Sequence, residues 1–201
     1  MRVSREKAAE NRETVINVAS RLFREHGFDG IGLKDLMKGA GLTQGAFYKQ
    51  FASKEDLAVL ASRRAFESAS HRWSDAIEAH PENPLGAVLA FYLSMDHREE
   101  KMEGCPIVGL GSDAARQGSD VKSSFEDGVK THLEVLGELV GKSGDAEPNS
   151  KAMSILSTMI GAQVLARVVN DKKLSSQILH AAAQSVLAQA SAGSDEPGSV
   201  Q

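Results

Sequence analysis

A single cysteine, Cys105, stands in a chain of 201 residues. An intrachain disulfide is therefore excluded, and because no Cys or His neighbours it at metal-ligand spacing, so is a zinc scaffold. Aromatic residues are only 5% of the chain, which together with abundant Ala, Leu, Glu and Lys favours helices over strands. No apolar run approaches the roughly 18 residues that a membrane span needs. The opening segment MRVSREKAAENRE carries charges where a signal peptide has its apolar core. A cytoplasmic protein with no membrane partner is the expectation. Neither a glycine-rich phosphate loop nor an internal repeat stands out, so no cofactor is expected.

What is present is unevenly distributed. The formal net charge of −4 hides a basic front end: residues 1–54 hold ten Lys/Arg against six Asp/Glu, and the remainder holds thirteen against twenty-one. A basic module on an acidic body suits a protein that meets a polyanion with one part and something else with the other.

Apolar spacing predicts an all-α chain. Val15, Val18, Ala19, Leu22 and Phe23 recur at helical intervals between Lys7 and His26, with Gly27 as the stop. Leu33, Leu36 and Met37 form a short second stripe ending at Gly39-Ala40-Gly41, and Thr43 supplies an N-cap hydroxyl for a third helix of about 44–50. Ser53, Glu55 and Asp56 start a long fourth helix running to about Glu78. A fifth begins at Pro84 with Leu85, Val88, Leu89, Tyr92 and Met95 inward, followed by a polar loop, HREEKMEG. Further helices are expected from Cys105-Pro106, over about 121–140, 149–169 and 173–190. The 149–169 helix carries Met153, Leu156, Met159, Ile160 and Val164, and the last carries Leu174, Ile178, Ala182 and Val186. The stretch GKSGDAEPN reads as a surface linker, and residues 191–201 as a disordered tail.

The helices of about 33–39 and 44–50, joined by a glycine-containing turn, have the proportions of a helix-turn-helix, whose second helix enters the DNA major groove. The run Ala40-Gly41-Leu42-Thr43, Gly45-Ala46-Phe47-Tyr48, Phe51, Ser53-Lys54-Glu55, Leu57 resembles the DNA-binding signature of the TetR family. The resemblance covers residues 10 to about 60; beyond them only helix count, spacing and two long terminal helices are similar. It implies an N-terminal three-helix DNA-binding domain (1–54), a larger helical ligand-binding and dimerisation domain (55–190), and a homodimeric repressor released from double-stranded operator DNA by a small molecule.

On that frame the Thr43 hydroxyl caps the recognition helix or bonds a phosphate, and Gln44 reads a base edge. Gly45, with Ala46 beside it, allows close approach of the backbone. Tyr48, Lys49, Lys54 and, more weakly, Lys34 contact phosphates. Phe47 and Phe51 pack the small domain's core. Two positions depart from the family pattern: Gly32 stands where Ser or Thr is usual, and Gln50 where His is usual. Gln50 keeps a donor for a phosphate oxygen but cannot become cationic.

Reading an operator needs two recognition helices, so a homodimer is expected, with the Ala-, Ser- and Leu-rich last two helices pairing across it. The inducer, small and either mostly apolar or electrophilic, is expected among Trp73, Phe91, Tyr92, Met95, Phe125, Met159 and Gln163. Cys105 joins that set because EGCPIVGL places its sulfur at a helix N-terminus, whose partial positive charge favours the thiolate, while Glu103 opposes it. Some TetR-like regulators share this Gly-Cys-Pro. Thiol enzymology at Cys105 with His97 or His132 as base is the main competing class, and no spacing supports such a dyad. A helical adaptor that has lost DNA binding is the other, and the intact Thr43, Gly45, Tyr48, Lys49 and Lys54 argue against it.

Overall fold

The computed structural model describes residues 5–141 and 150–191; most of the expected linker and all but the first residue of the expected tail lie outside them. The described residues form ten helices and no strand. In chain order they are α1 (Arg5–His26), α2 (Leu33–Gly39), α3 (Gln44–Phe47), α4 (Lys54–Ala79), α5 (Pro84–Tyr92), α6 (Met95–Glu99), α7 (Pro106–Ala114), α8 (Ser119–Leu139), α9 (Ser150–Val168) and α10 (Lys172–Ser191). They pack as two units: residues 5–71 with 100–129, and residues 72–99 with 130–141 and 150–191. Helices α4 and α8 each contribute to both.

The first unit holds the helix-turn-helix. Helix α1 buries Val15, Ile16, Ala19 and Phe23 along one face. Gly27 closes it with φ +79°, a left-handed conformation that costs glycine little, and donates its N–H to the Phe23 carbonyl at 2.8 Å. Leu36 and Met37 seat α2 on the same core. Gly41, at φ +69°, then turns the chain, and the Leu42 N–H closes the turn on the Met37 carbonyl at 2.8 Å. The Ser53 hydroxyl caps α4 by accepting from the Asp56 N–H at 3.0 Å, while the Asp56 carboxylate accepts from the Ala52 N–H at 3.2 Å, which fixes the chain as it enters the helix.

Helix α7 and the start of α8 belong to this same unit, and Leu110, Ala114, Val121 and Phe125 share its core with Val15, Phe23 and Phe47. Phe125 meets Phe28 and Phe66 edge-on, with centroids 6.5 and 5.2 Å apart. Buried Arg24 donates to the Gly104 carbonyl at 2.9 Å and pairs with Glu103 at 3.4 Å. The Phe28 N–H bonds Asp113 at 3.2 Å, so the end of α1 and the segment 103–113 hold one another. Arg64 ties α4 to α1 through Glu13 and Asn17. The hydrogen bond to Glu13, first among the causes, pushes its guanidinium pKa further up.

In the second unit α9 and α10 run antiparallel, as bonds from Lys151 to the Ala190 carbonyl and from Ser175 to the Ala166 carbonyl require. Arg98 donates to the Ala166 and Val169 carbonyls, and Arg167 returns bonds to the carbonyls of His97 and Arg98. This crossed pair of arginines fixes α6 at the end of α9.

Several expectations need correcting. The polar loop HREEKMEG begins as helix: α6 includes His97, which is buried with its Nδ1 2.7 Å from the Tyr92 carbonyl. The third helix stops at Phe47, with 48–50 as turn. On α1, Ile16 is buried and Val18 and Leu22 only half-buried, so the core face is rotated from the one expected. Of the apolar residues that mark the last two helices, Met153, Val164 and Leu174 are exposed.

A β-carbon at Gly128 would overlap the Phe66 ring. Gly128→Ala should therefore lower stability by about 1–3 kcal/mol, even though alanine is the better helix former by about 1 kcal/mol. Thermal or urea unfolding checks this, and an unchanged midpoint would mean that Phe66 moves aside freely.

Candidate DNA interface

Helix α3 is one turn long, far below the roughly 12–15 residues at which isolated helices become marginally stable. Its position comes from packing. Phe47 is fully buried, Phe51 stacks on it with centroids 5.3 Å apart at 29°, and Tyr48 meets Phe47 edge-on at 5.3 Å. The alternation matters: Phe47 and Phe51 face the core, while Tyr48, between them, is 66% exposed.

The residues expected to meet DNA fall on the outside. Lys34, Thr43, Gln44, Gly45, Tyr48 and Lys49 are exposed, and Ala46 and Lys54 are half-buried. Thr43 occupies the N-cap of α3 with extended backbone (φ −83°, ψ 152°), but its side chain makes no cap hydrogen bond; of its two expected roles, capping is corrected. Gly32 likewise caps α2 only by its backbone, as a residue without a side chain must. Lys54 Nζ lies 6.0 Å from the Phe23 ring centroid. Gln50 is half-buried, and its side-chain oxygen has no hydrogen-bond partner.

Sequence reasoning missed Arg12. It lies one turn before Val15 and Ile16 on the core face of α1, reaches across 38 positions of sequence to donate to the Gln50 carbonyl at 3.0 Å, and sits over the Phe51 ring at 4.6 Å. An arginine continuing an apolar stripe was the available signal. Arg24 has the same character at the other end of the helix.

The residues expected to meet the inducer divide between the units. Trp73, Phe91, Tyr92, Met95, Met159 and Gln163 lie in the second. There Trp73 contacts Tyr92 edge-on at 5.9 Å and His132 at 4.4 Å, and Gln163 donates to the Tyr92 carbonyl. The Gln163 side-chain oxygen is buried with no hydrogen-bond partner. Met95 also borders a groove of about 290 Å³ between Leu89 and Leu93 on one side and Leu179, His180 and Ala183 on the other. Phe125 and Cys105 belong to the first unit, Phe125 in its core and Cys105 buried at the N-cap of α7.

Residues 15–61 match the model of a family described as bacterial regulatory proteins, tetR family. Over these residues the chain is similar to the tetR family. It is similar to the HTH-type transcriptional repressor NemR of Escherichia coli (strain K12), 24% identical over 169 residues that cover 79% of this chain and 85% of that one. It is also similar to the HTH-type transcriptional regulator LmrA of Bacillus subtilis (strain 168), 26% identical over 85% of this chain and 92% of LmrA. Among solved structures, a TetR transcriptional regulator from Chloroflexus aurantiacus shares the fold, with a TM-score of 0.76 at 24% identity over 95% of this chain and 98% of that one. No helix among the described residues is long and apolar enough to cross a membrane.

A β-carbon at Gly45 meets nothing within 4 Å. Gly45→Ala should leave the free protein as stable or up to about 1 kcal/mol more so, and should weaken operator binding if Gly45 meets the phosphate backbone as the resemblance implies. Paired unfolding and DNA-titration curves test both halves, and unchanged affinity would remove Gly45 from the interface.

Proposed function

We propose that this chain is a homodimeric transcriptional repressor that binds operator DNA through residues 1–54 and leaves it when a small molecule binds the remainder of the protein. The observation that carries the DNA-binding part is the division of side chains around α3. Phe47 and Phe51 are spent on the core, which leaves Gln44, Gly45, Tyr48 and Lys49 displayed together. Tyr48 and Lys49, with Lys34, Lys54 and the freed Thr43 hydroxyl, supply phosphate contacts that fix register, while Gln44 supplies an amide to a base edge.

Dimerisation is supported by the exposed apolar residues of the last two helices. Leu165 and Val168, 55% and 70% exposed, stand with Met153 and Val164 on α9 and with Leu174 and Leu187 on α10. Pairing such faces about a two-fold axis buries them and presents two recognition helices to successive major grooves.

The inducer is received in the second unit among Trp73, Phe91, Tyr92, Met95, Met159 and Gln163, whose buried amide oxygen offers an acceptor to a mostly apolar ligand. Helix α4, which belongs to both units, carries the change toward the operator. A coupling of about 1–3 kcal/mol changes operator affinity roughly 5- to 150-fold. Cys105 gives a second inducer class, electrophiles. The observation favouring it is its neighbour: the Gly104 carbonyl holds Arg24 of α1, so a modified thiol would disturb a contact made by α1.

The test is a titration of the purified protein against genomic fragments, including its own upstream region, at two salt concentrations. A specific complex is expected whose affinity falls with salt, and Lys49→Ala should reduce the log–log slope by about 0.9 for each phosphate that is no longer neutralised. Weak, sequence-indifferent binding would favour the adaptor instead. Val168→Glu should yield monomers by sedimentation and lose specific binding; a dimer that persists would place the interface elsewhere.

A further inference from the structure

We infer that Arg12, on α1, is a positioning residue for operator recognition: it holds the turn that follows the recognition helix and thereby aims Tyr48 and Lys49. The inference rests on the operator-binding reading above and adds to it a residue outside the helix-turn-helix.

The turn has few holds of its own. After Phe47 it closes by the Gln50 and Phe51 N–H groups donating to the Phe47 carbonyl at 2.8 and 3.0 Å. These bonds leave Tyr48 and Lys49 bracketed between a fixed Phe47 and whatever fixes Gln50. That second anchor is Arg12, whose Nη1 donates to the Gln50 carbonyl at 3.0 Å. Its guanidinium carbon also lies 4.6 Å from the Phe51 centroid. Phe51 stacks on Phe47, and Phe47 meets Tyr48. One side chain thus grips both the backbone and the ring ladder behind the residues offered to DNA.

The chemistry calls for arginine. A planar guanidinium donates within its plane while its face lies on an aromatic ring, whereas a lysine ammonium has no flat face and satisfies one contact at the expense of the other. Arg12 is half-buried, consistent with a group used from inside the domain. A direct phosphate contact by the same cation is the competing role, and the two differ in whether an unrelated sequence is affected and whether lysine substitutes. A phosphate contact releases counterions and strengthens binding to any sequence, whereas a positioning residue strengthens only the complex that needs correct aim.

The experiment compares full-length wild type, Arg12→Gln and Arg12→Lys on a duplex selected by the wild type from random DNA and on an unrelated duplex, across a salt series. Hydrogen exchange of the DNA-free protein is followed in parallel. Arg12→Gln should weaken the selected duplex about tenfold or more, with a slope on it reduced by no more than the about 0.9 per phosphate that Lys49→Ala removes, and leave the unrelated one within about twofold. Exchange should quicken over residues 48–51, and Arg12→Lys should restore little. Equal weakening of both duplexes, with a slope reduced by about 0.9 per phosphate and rescue by lysine, would overturn the proposal in favour of a phosphate contact. Unchanged affinity and exchange would overturn it outright. A wild type that selects no duplex would instead sink the regulator reading, and the exchange measurement, which needs no DNA, would still decide whether Arg12 holds the turn. Should Arg12→Gln fail to fold, Arg12→Lys carries the same comparison.

Discussion

A recognition helix of one turn cannot hold its shape in water, because nucleation fixes several residues for a single hydrogen bond. The rest of the DNA-facing surface depends on how that deficit is met, and here it is met by burying Phe47 and stacking Phe51 against it. Core packing and ligand presentation are the same event in this segment. Because Tyr48 and Lys49 follow directly on Phe47, whatever orients its ring orients them, and any loosening of the small core reaches the interface within one residue.

That core is not confined to the three N-terminal helices. Phe125, Leu110 and Val121, some 60 or more positions beyond the recognition helix in sequence, complete it, and Arg24 with Glu103 and Gly104, and the Phe28 N–H with Asp113, fasten the end of α1 to the segment before and along α7. The buried guanidinium is costly to strip of water and is compensated by bonds to main-chain carbonyls and a carboxylate. Removing any one partner leaves an unmet charge or carbonyl.

Much of this was legible in advance because helical spacing is a local property. Gly27 and Gly41 stop or turn the chain where the apolar stripes end, Ser53 and Asp56 mark the start of α4, and Pro84 that of α5. The exposure of the polar residues could be read as well, since between Phe47 and Phe51 the motif sets aromatic core residues on either side of polar ones. Less was legible where a side chain has two uses. The Thr43 hydroxyl was expected to cap and does not, and a threonine alone cannot reveal which acceptor or donor it will meet. His97 looked like loop and is buried, because its partner is the Tyr92 carbonyl and its supports are Gln163 and Arg167 from α9.

The sequence by itself determined the helices other than α6, the turn chemistry between α2 and α3, the family signature and the polarity of the surface around α3, all of which depend on residues within a few positions of one another. Only the tertiary structure decided that Arg12 serves Gln50, that Phe125 packs with Phe28 and Phe66, and that Met153 and Val164 face outward. These pairings span tens of residues, and an apolar or basic side chain carries no record of its distant partner. Their identity emerges only when burial and hydrogen-bond satisfaction are solved for the whole unit at once.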